Sequence, residues 1–157
     1  MTDEQFLLDV MLGKLATYLR LCGYDTVYAQ DEGIEADDLL RRRAESSGRV
    51  LVTRDKELAA RTDGALLLET RDVAEQLAEL AAHGVSIGLP EEPERCSVCN
   101  GLVRTLGDEE QRPDHAPDEI EALWQCRACD QHFWKGSHWE RMRDIVSSVG
   151  ESNHNSL

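Results

Sequence analysis

The sequence predicts an α/β fold, a mostly parallel sheet flanked by helices, with a small cysteine-bearing module after it. Three observations carry this reading. From Gln5 to about His83, short apolar runs alternate with segments of helical periodicity. Gly84 to Arg95 loses that periodicity and holds Pro90, Pro93 and three glutamates. The chain after Arg95 contains two Cys-x-x-Cys pairs. Alternating strand and helix signals imply right-handed crossovers between parallel strands, and sheets of this kind bind ligands beyond the carboxyl ends of their strands.

Each element has its own signature. Gln5-Phe6-Leu7-Leu8-Asp9-Val10 reads as a buried strand. Leu12, Leu15, Ala16 and Leu19 then fall at helical spacing, and Gly23 stops that helix. Thr26 to Ala29 is a second short strand, and Ala36 to Ser47 a helix closed by Gly48. The strand Arg49 to Thr53 leads into a short helix, Asp55 to Arg61, and Ala65 to Leu68 is the fourth strand. From Asp72 to Ala82, Val73, Leu77, Leu80 and Ala81 form one apolar stripe ending at His83-Gly84. The expected organisation is a first unit over 1–84, a linker over 85–95, a module with a C-terminal helix over 96–149, and a frayed tail over 150–157.

Composition narrows the class of protein. The chain has 157 residues, 41% of them hydrophobic, enough to bury one ordinary core. Its longest apolar runs, such as Leu66 to Leu68, are far short of the roughly 20 residues of a membrane span. The amino terminus lacks a secretory pattern, so the expected location is cytoplasmic, where disulfides do not persist. Thirty-one acidic residues against 17 basic ones give a net charge of −14, and only Lys14, Lys56 and Lys135 are lysines. Such a field repels polyanions and membranes unless salt screens it. Sparse lysine with abundant acid suggests a halophilic archaeal cytosol, where the Debye length is roughly 3 Å at 1 M salt.

Three acidic positions fall at strand ends. Asp9 follows Phe6-Leu7-Leu8, and Asp55 follows the third strand, so both belong to one edge of the sheet. Asp37 and Asp38 open the helix whose amino end faces that edge, and Glu57, two residues after Asp55, can join them from the first turn of its own helix. Asp55 also suits a helix N-cap, and Asp37 or Asp38 a favourable first-turn charge. Asp9, behind three apolar residues, has no expected capping role, and a carboxylate there is costly to bury unless it is paired or metal-bound. Carboxylates gathered on one rim favour hard divalent cations, Mg²⁺ or Mn²⁺. Lys14, Arg20 and Arg54 are the cations expected near this rim, either holding a substrate phosphate or pairing with the acids. Gly13-Lys14 lacks the frame of a P-loop, which argues against a nucleoside triphosphatase.

Cys96-Ser97-Val98-Cys99 and Cys126-Arg127-Ala128-Cys129 carry the strongest signal in the chain. Four thiolates from two tight turns match one tetrahedral structural Zn²⁺, and Asn100-Gly101 suits a turn whose amides face the sulfurs. A module of about 50 residues with few large aliphatics depends on such a metal to fold. Leu102 to Leu106 and Leu123 to Gln125 read as its strands, around an acidic loop from Asp108 to Glu121 that is expected to be mobile. Ser137 and Glu140 form a capping box that starts a helix running to about Val149. Around it, Phe133, Trp134 and Trp139 interleave with Lys135, His138, Arg141 and Arg143. That composition suits stacking on bases and contacting phosphates, and equally suits packing of the module against the first unit.

The segments Asp9 to Ala16, Leu19 to Asp25, Leu51 to Leu58 and Lys135 to Glu140 together resemble the Mut7-C family, PIN-like ribonuclease domains followed by a zinc ribbon. The resemblance covers about residues 5 to 146. It implies a PIN-like fold, an acidic Mg²⁺ or Mn²⁺ site and cleavage of single-stranded RNA. By motif position it makes Asp9 the first catalytic carboxylate and Asp55 the third. The second falls at Asp37 or Asp38, with Asp38 preferred, and Glu57 stands where many PIN domains place a fourth Asp. PIN domains joined to zinc ribbons occur among nucleases that mature ribosomal RNA, which makes ribosomal or pre-ribosomal RNA an expected partner by analogy. The expected function is therefore a metal-dependent endoribonuclease whose ribbon docks RNA or the ribosome. Lys14, Arg20, Arg54, Lys135, His138, Trp139 and Arg141 are its candidate substrate contacts. The alternative is a non-catalytic RNA- or ribosome-binding adaptor, which would have no use for the acidic set. A toxin-like nuclease is disfavoured by the appended ribbon.

Overall fold

The computed structural model describes residues 4–107, 109–110 and 112–155, with side chains only to Val149 at the carboxyl end. Residues 1–3 of the expected first unit, Asp108 of the expected mobile loop, Gln111, and 156–157 of the expected tail lie outside the described residues. No helix among the described residues is long and apolar enough to cross a membrane.

Four parallel strands form the first sheet, in the order β2-β1-β3-β4: β1 is Gln5–Leu8, β2 Asp25–Tyr28, β3 Val50–Thr53 and β4 Leu66–Leu67. Helices α1 (Gly13–Leu21), α2 (Asp37–Ser47), α3 (Lys56–Arg61) and α4 (Val73–Ala82) connect and cover them. Phe6, Leu7 and Leu8 of β1 are all fully buried, as a strand covered on both faces requires. Because side chains alternate along a strand, they divide between two apolar layers. Phe6 and Leu8 join Leu15 and Leu19 of α1 and Leu77 and Leu80 of α4. Leu7 joins Leu51, Leu40 and Ala44 of α2, and Leu58 of α3.

Several boundaries differ from the sequence expectation for local reasons. The first strand ends at Leu8 rather than Val10, because a single 3-10 turn, Val10–Leu12, intervenes before α1. There the Tyr28 hydroxyl donates to the Val10 carbonyl at 2.5 Å. A Cβ on Gly13 would lie 2.9 Å from that hydroxyl, so the close approach needs glycine. Gly48 closes α2 in the left-handed conformation, φ 69°.

The second sheet is antiparallel, in the order β5-β6-β7: Val103–Thr105, Trp124–Cys126 and His132–Phe133. Its last strand, two residues long, has no periodicity to reveal it in sequence. The loop after β5 is pinned at Glu110, which accepts from both terminal nitrogens of Arg104 (2.7 and 3.0 Å) and from the Gly107 amide. Helix α5 spans Ser137–Asn155 and so carries on through most of the expected tail. The Glu140 amide donates to the Gly136 carbonyl, which puts the helix start one residue earlier than the capping box implies.

Although α5 follows the cysteine module in the chain, it packs on α4, and Met142, Val146 and Val149 enter the first apolar layer. The expected linker is also packed. Val85 is buried, Ile87 and Leu89 lie against the same layer, and the Tyr24 hydroxyl donates to the Ser86 carbonyl at 2.7 Å.

Candidate functional site

The parallel register sets Leu8 beside Val52, so the next residues, Asp9 and Thr53, meet at the carboxyl end of the sheet. Asp9 is 6% exposed and Thr53 fully buried. The Thr53 hydroxyl donates to Asp9 Oδ2 at 2.7 Å and accepts the Asp55 amide at 3.0 Å, so one hydroxyl ties the two acidic positions together. Asp9 Oδ1 accepts the Val10 amide at 2.7 Å and thereby caps the 3-10 turn. This corrects the expectation that a strand-end acid has no capping role. Asp55 is also a cap, accepting the amides of Glu57 (3.0 Å) and Leu58 (3.2 Å) at the start of α3. Only neutral donors reach Asp9; among the described residues no Lys, Arg or His forms an ion pair with it.

The remaining acids stand around this pair rather than closing on it. Asp37 and Asp38 occupy the first turn of α2, and exposed Asp38 faces Arg61 at 3.8 Å. Glu57 is exposed in the first turn of α3. Lys14 is exposed in the first turn of α1, and Arg54 is partly buried with its Nε lacking a partner. Arg20 lies elsewhere. It is 4% exposed and donates through Nε to the Thr26 carbonyl (3.0 Å) and through Nη1 to the carbonyls of Ser97 and Val98 (3.2 Å each). Its Nη2 lies 3.6 Å from Asp31. Buried and fully engaged, it clamps the first cysteine turn to β2 and does not form part of the acidic rim.

The cysteines do converge. The four sulfurs of Cys96, Cys99, Cys126 and Cys129 lie within 4.8 Å of one another, with Cys96 to Cys129 at 3.7 Å and Cys99 to Cys126 at 3.5 Å. Zinc–sulfur bonds of about 2.3 Å give a tetrahedron with edges of about 3.8 Å, so this donor set fits one Zn²⁺. Amides of Cys99 and Gly101 point at the first pair of sulfurs, and those of Ala128 and Cys129 at Cys126. Asn100 and Asp130 take left-handed φ values of 72° and 65° to form the two turns. A Cβ on Gly101 would lie 2.9 Å from that of Ala128, which leaves glycine there. Burial pushes the Cys96 thiol up to about 12. Burial also opposes ionisation of Cys126, but the amides of Cys129 and Ala128 bring it down to about 7. A cation is what would ionise all four together. Among the described residues this is the sole group of three or more potential ligands arranged for one ion.

Residues 4–146 match the family described as the Mut7-C RNAse domain. The chain belongs to that family. No curated protein and no solved structure matches it. The Mut7-C match runs through the first sheet, the cysteine module and the part of α5 that carries Met142 and Val146.

The aromatic and basic residues of this Mut7-C chain gather where α5 begins. Lys135 donates to the Glu91 carbonyl at 2.7 Å, with its Nζ 4.9 Å from the Trp139 ring centre and 5.9 Å from that of Trp124. Arg143 lies 5.4 Å from the Trp139 centre, while His138 and Arg141 are exposed on α5. Three organising residues escaped the sequence reading. Thr53 was discoverable by extending the β1–β3 register one step past Leu8 and Val52. Asn100, read only as a turn residue, and Asp25 had no such signal for their contact with each other. The Asn100 side chain accepts the Thr26 amide (2.9 Å) and donates to Asp25 Oδ1 (2.7 Å), while Arg49 meets the same Asp25 oxygen at 2.9 Å.

Proposed function

We propose that this Mut7-C chain is a divalent-metal-dependent endoribonuclease that hydrolyses RNA phosphodiester bonds at the carboxyl edge of a PIN-like sheet. The observation that carries the reading is the Asp9–Thr53–Asp55 linkage, in which a buried carboxylate with no cationic partner among the described residues lies at the edge where parallel sheets bind ligands. Carboxylate oxygens are the donors a hard cation takes, and Asp9 and Asp55, with either Asp38 or Asp37 brought in to them, would hold Mg²⁺ or Mn²⁺. A bound ion of this kind polarises a phosphoryl oxygen and supports in-line attack by water. Thr53 fixes the Asp9 carboxylate by donating to Oδ2. Lys14 and Arg54 take the non-bridging oxygens of the scissile phosphate, and Glu57 borders the site. The zinc-bearing module docks RNA, with ribosomal or pre-ribosomal RNA as the partner its architecture suggests, through Lys135, His138, Trp139 and Arg141.

The test is cleavage of labelled RNAs by zinc-loaded protein at low and high KCl, with Mn²⁺ or Mg²⁺ added or withheld. Asp9→Asn and Asp55→Asn are assayed beside wild type, with zinc content and circular dichroism as controls. Loss in both variants should exceed the roughly 100-fold that changes outside a metal's direct ligands cost. Retained cleavage overturns the acidic site. Binding without cleavage in all three proteins would favour the adaptor reading.

A further inference from the structure

We infer that the groove between α1, the first cysteine turn and the start of α5 binds an unpaired RNA nucleotide, at a place separate from the acidic edge. This rests on the RNA reading above and deepens it by naming the ligand class and its seat. The groove has a volume of about 370 Å³, within the range of small-molecule sites. Phe133, Trp134 and Trp139 contribute aromatic rings to its lining, and every nucleobase offers a π face to such rings. Arg95, His132 and His138 supply polar groups, and Arg95 Nε is buried without a hydrogen-bond partner. Helix α5 opens onto the groove through Gly136, Ser137 and His138, and the amino end of a helix favours a phosphate.

Charge selects the occupant. The chain carries 31 acidic residues, yet among the described residues none lines this groove. Neighbouring hollows differ: Glu91, Glu92 and Glu94 line one, and Glu110 and Asp114 another. Lys135 and Arg143 beside the Trp139 ring add positive charge near the groove. An anionic ligand with a flat aromatic part satisfies both features at once. A base within a duplex is stacked and cannot enter, so the ligand is single-stranded. Leu21, on the groove, lies about 12 Å along α1 from Gly13 near the acidic edge. The anchored base is therefore set apart from the bond that would be cut.

Val98 provides the test, because it lines the groove, is 58% exposed, and has its backbone held by Arg20. Val98→Glu places a carboxylate at the site without disturbing the core. Leu102→Glu adds the same charge to the same module at a position 54% exposed and outside the groove. Binding of a fluorescent hexauridylate to the zinc-loaded full chain is measured without added Mg²⁺ or Mn²⁺. Val98→Glu should weaken it about tenfold or more, and Leu102→Glu by less than about twofold. Ultraviolet crosslinking of a 4-thiouridine hexamer should label the peptide holding Phe133 and Trp134. Equal affinities for the two variants, crosslinks confined to other peptides, or a wild-type chain that does not bind the hexamer would each overturn the inference. Tight binding at the groove by a chain that cuts nothing would remove the nuclease reading and leave this one standing. Cleavage with Val98→Glu unaffected in binding would do the reverse.

Discussion

The cysteine module and the acidic edge of the sheet both carry candidate metal ligands, and the structure treats them differently. Four sulfurs close to within 4.8 Å of one another. The carboxylates instead divide among local tasks, Asp9 and Asp55 as caps joined through Thr53 and Asp38 beside Arg61. The difference follows from how the ligands are held. Two Cys-x-x-Cys turns impose their own geometry through backbone amides on the sulfurs, so each ligand pair is nearly assembled by its own loop. The acids come from three distant segments, and each also has a neutral donor or helix terminus to satisfy. A short self-contained motif therefore shows its ligand geometry in sequence, whereas a composite edge shows only its membership.

Metal removal is the sharpest way to break this comparison. Chelation, or Cys126→Ser, should unfold the cysteine module, since structural zinc supplies on the order of 10 kcal/mol to such units. The first sheet should feel the loss, because Arg20 holds the Ser97 and Val98 carbonyls and Asn100 holds Thr26 and Asp25. Thermal unfolding followed by far-ultraviolet circular dichroism, with zinc quantified by a colorimetric chelator, should show a lower Tm for the whole chain. An unchanged transition for the sheet would show that the two regions are energetically independent.

The next largest effect falls on the contact between the regions. Arg20→Ala strips donors from three carbonyls and leaves a cavity at a buried position, which should cost about 3 kcal/mol in urea unfolding of the zinc-loaded protein. Arg20→Lys recovers only part of this, since one ammonium cannot reproduce the planar fork. A loss below about 1 kcal/mol for Arg20→Ala would mean the clamp is incidental. At the acidic edge, Asp55→Ala should cost about 1 kcal/mol through the lost cap, whereas Asp55→Asn should retain most of the stability because asparagine caps as well. If cleavage falls equally in both variants while stability falls only in the first, capping and chemistry at Asp55 are separated.

Much of this arrangement was legible in the chain itself. Apolar periodicity located all four parallel strands and their helices within one to two residues, because β1, β3 and the faces of α1 and α4 are patterned by burial. The spacing of the cysteines located the four sulfurs that the fold brings together. Three features were not legible. Asp9 turns out of the strand to cap a 3-10 turn, a local backbone choice that hydrophobicity does not encode. Arg20 looks like a solvated cation in the last turn of α1, and only the fold brings residues 97 and 98 over it. Helix α5 extends past Val149 through residues whose polarity suggested a tail, and its apolar stripe, Met142, Val146 and Val149, belongs to a core whose other members lie between Phe6 and Val85.

Asp25 offers the finest probe of the junction, through its charge. Burial alone would raise its pKa, but the Arg49 guanidinium and the Asn100 carboxamide outweigh this and hold the carboxyl below its ordinary value. A carboxylate whose folded pKa is depressed stabilises the fold above its unfolded pKa, roughly 4, and loses that contribution as pH falls through the lower folded value. Stability should therefore decline on the acid side below about pH 4, and Asp25→Asn should flatten that part of the decline while lowering stability at pH 7. Because zinc release also sets in with acid as the thiolates protonate, the comparison is made between wild type and Asp25→Asn at matched zinc occupancy. Parallel acid limbs in the two proteins would show that Asp25 serves as a neutral hydrogen-bonding partner to Asn100. Converging limbs would show that its charge, through Arg49, helps fasten the cysteine module to the sheet.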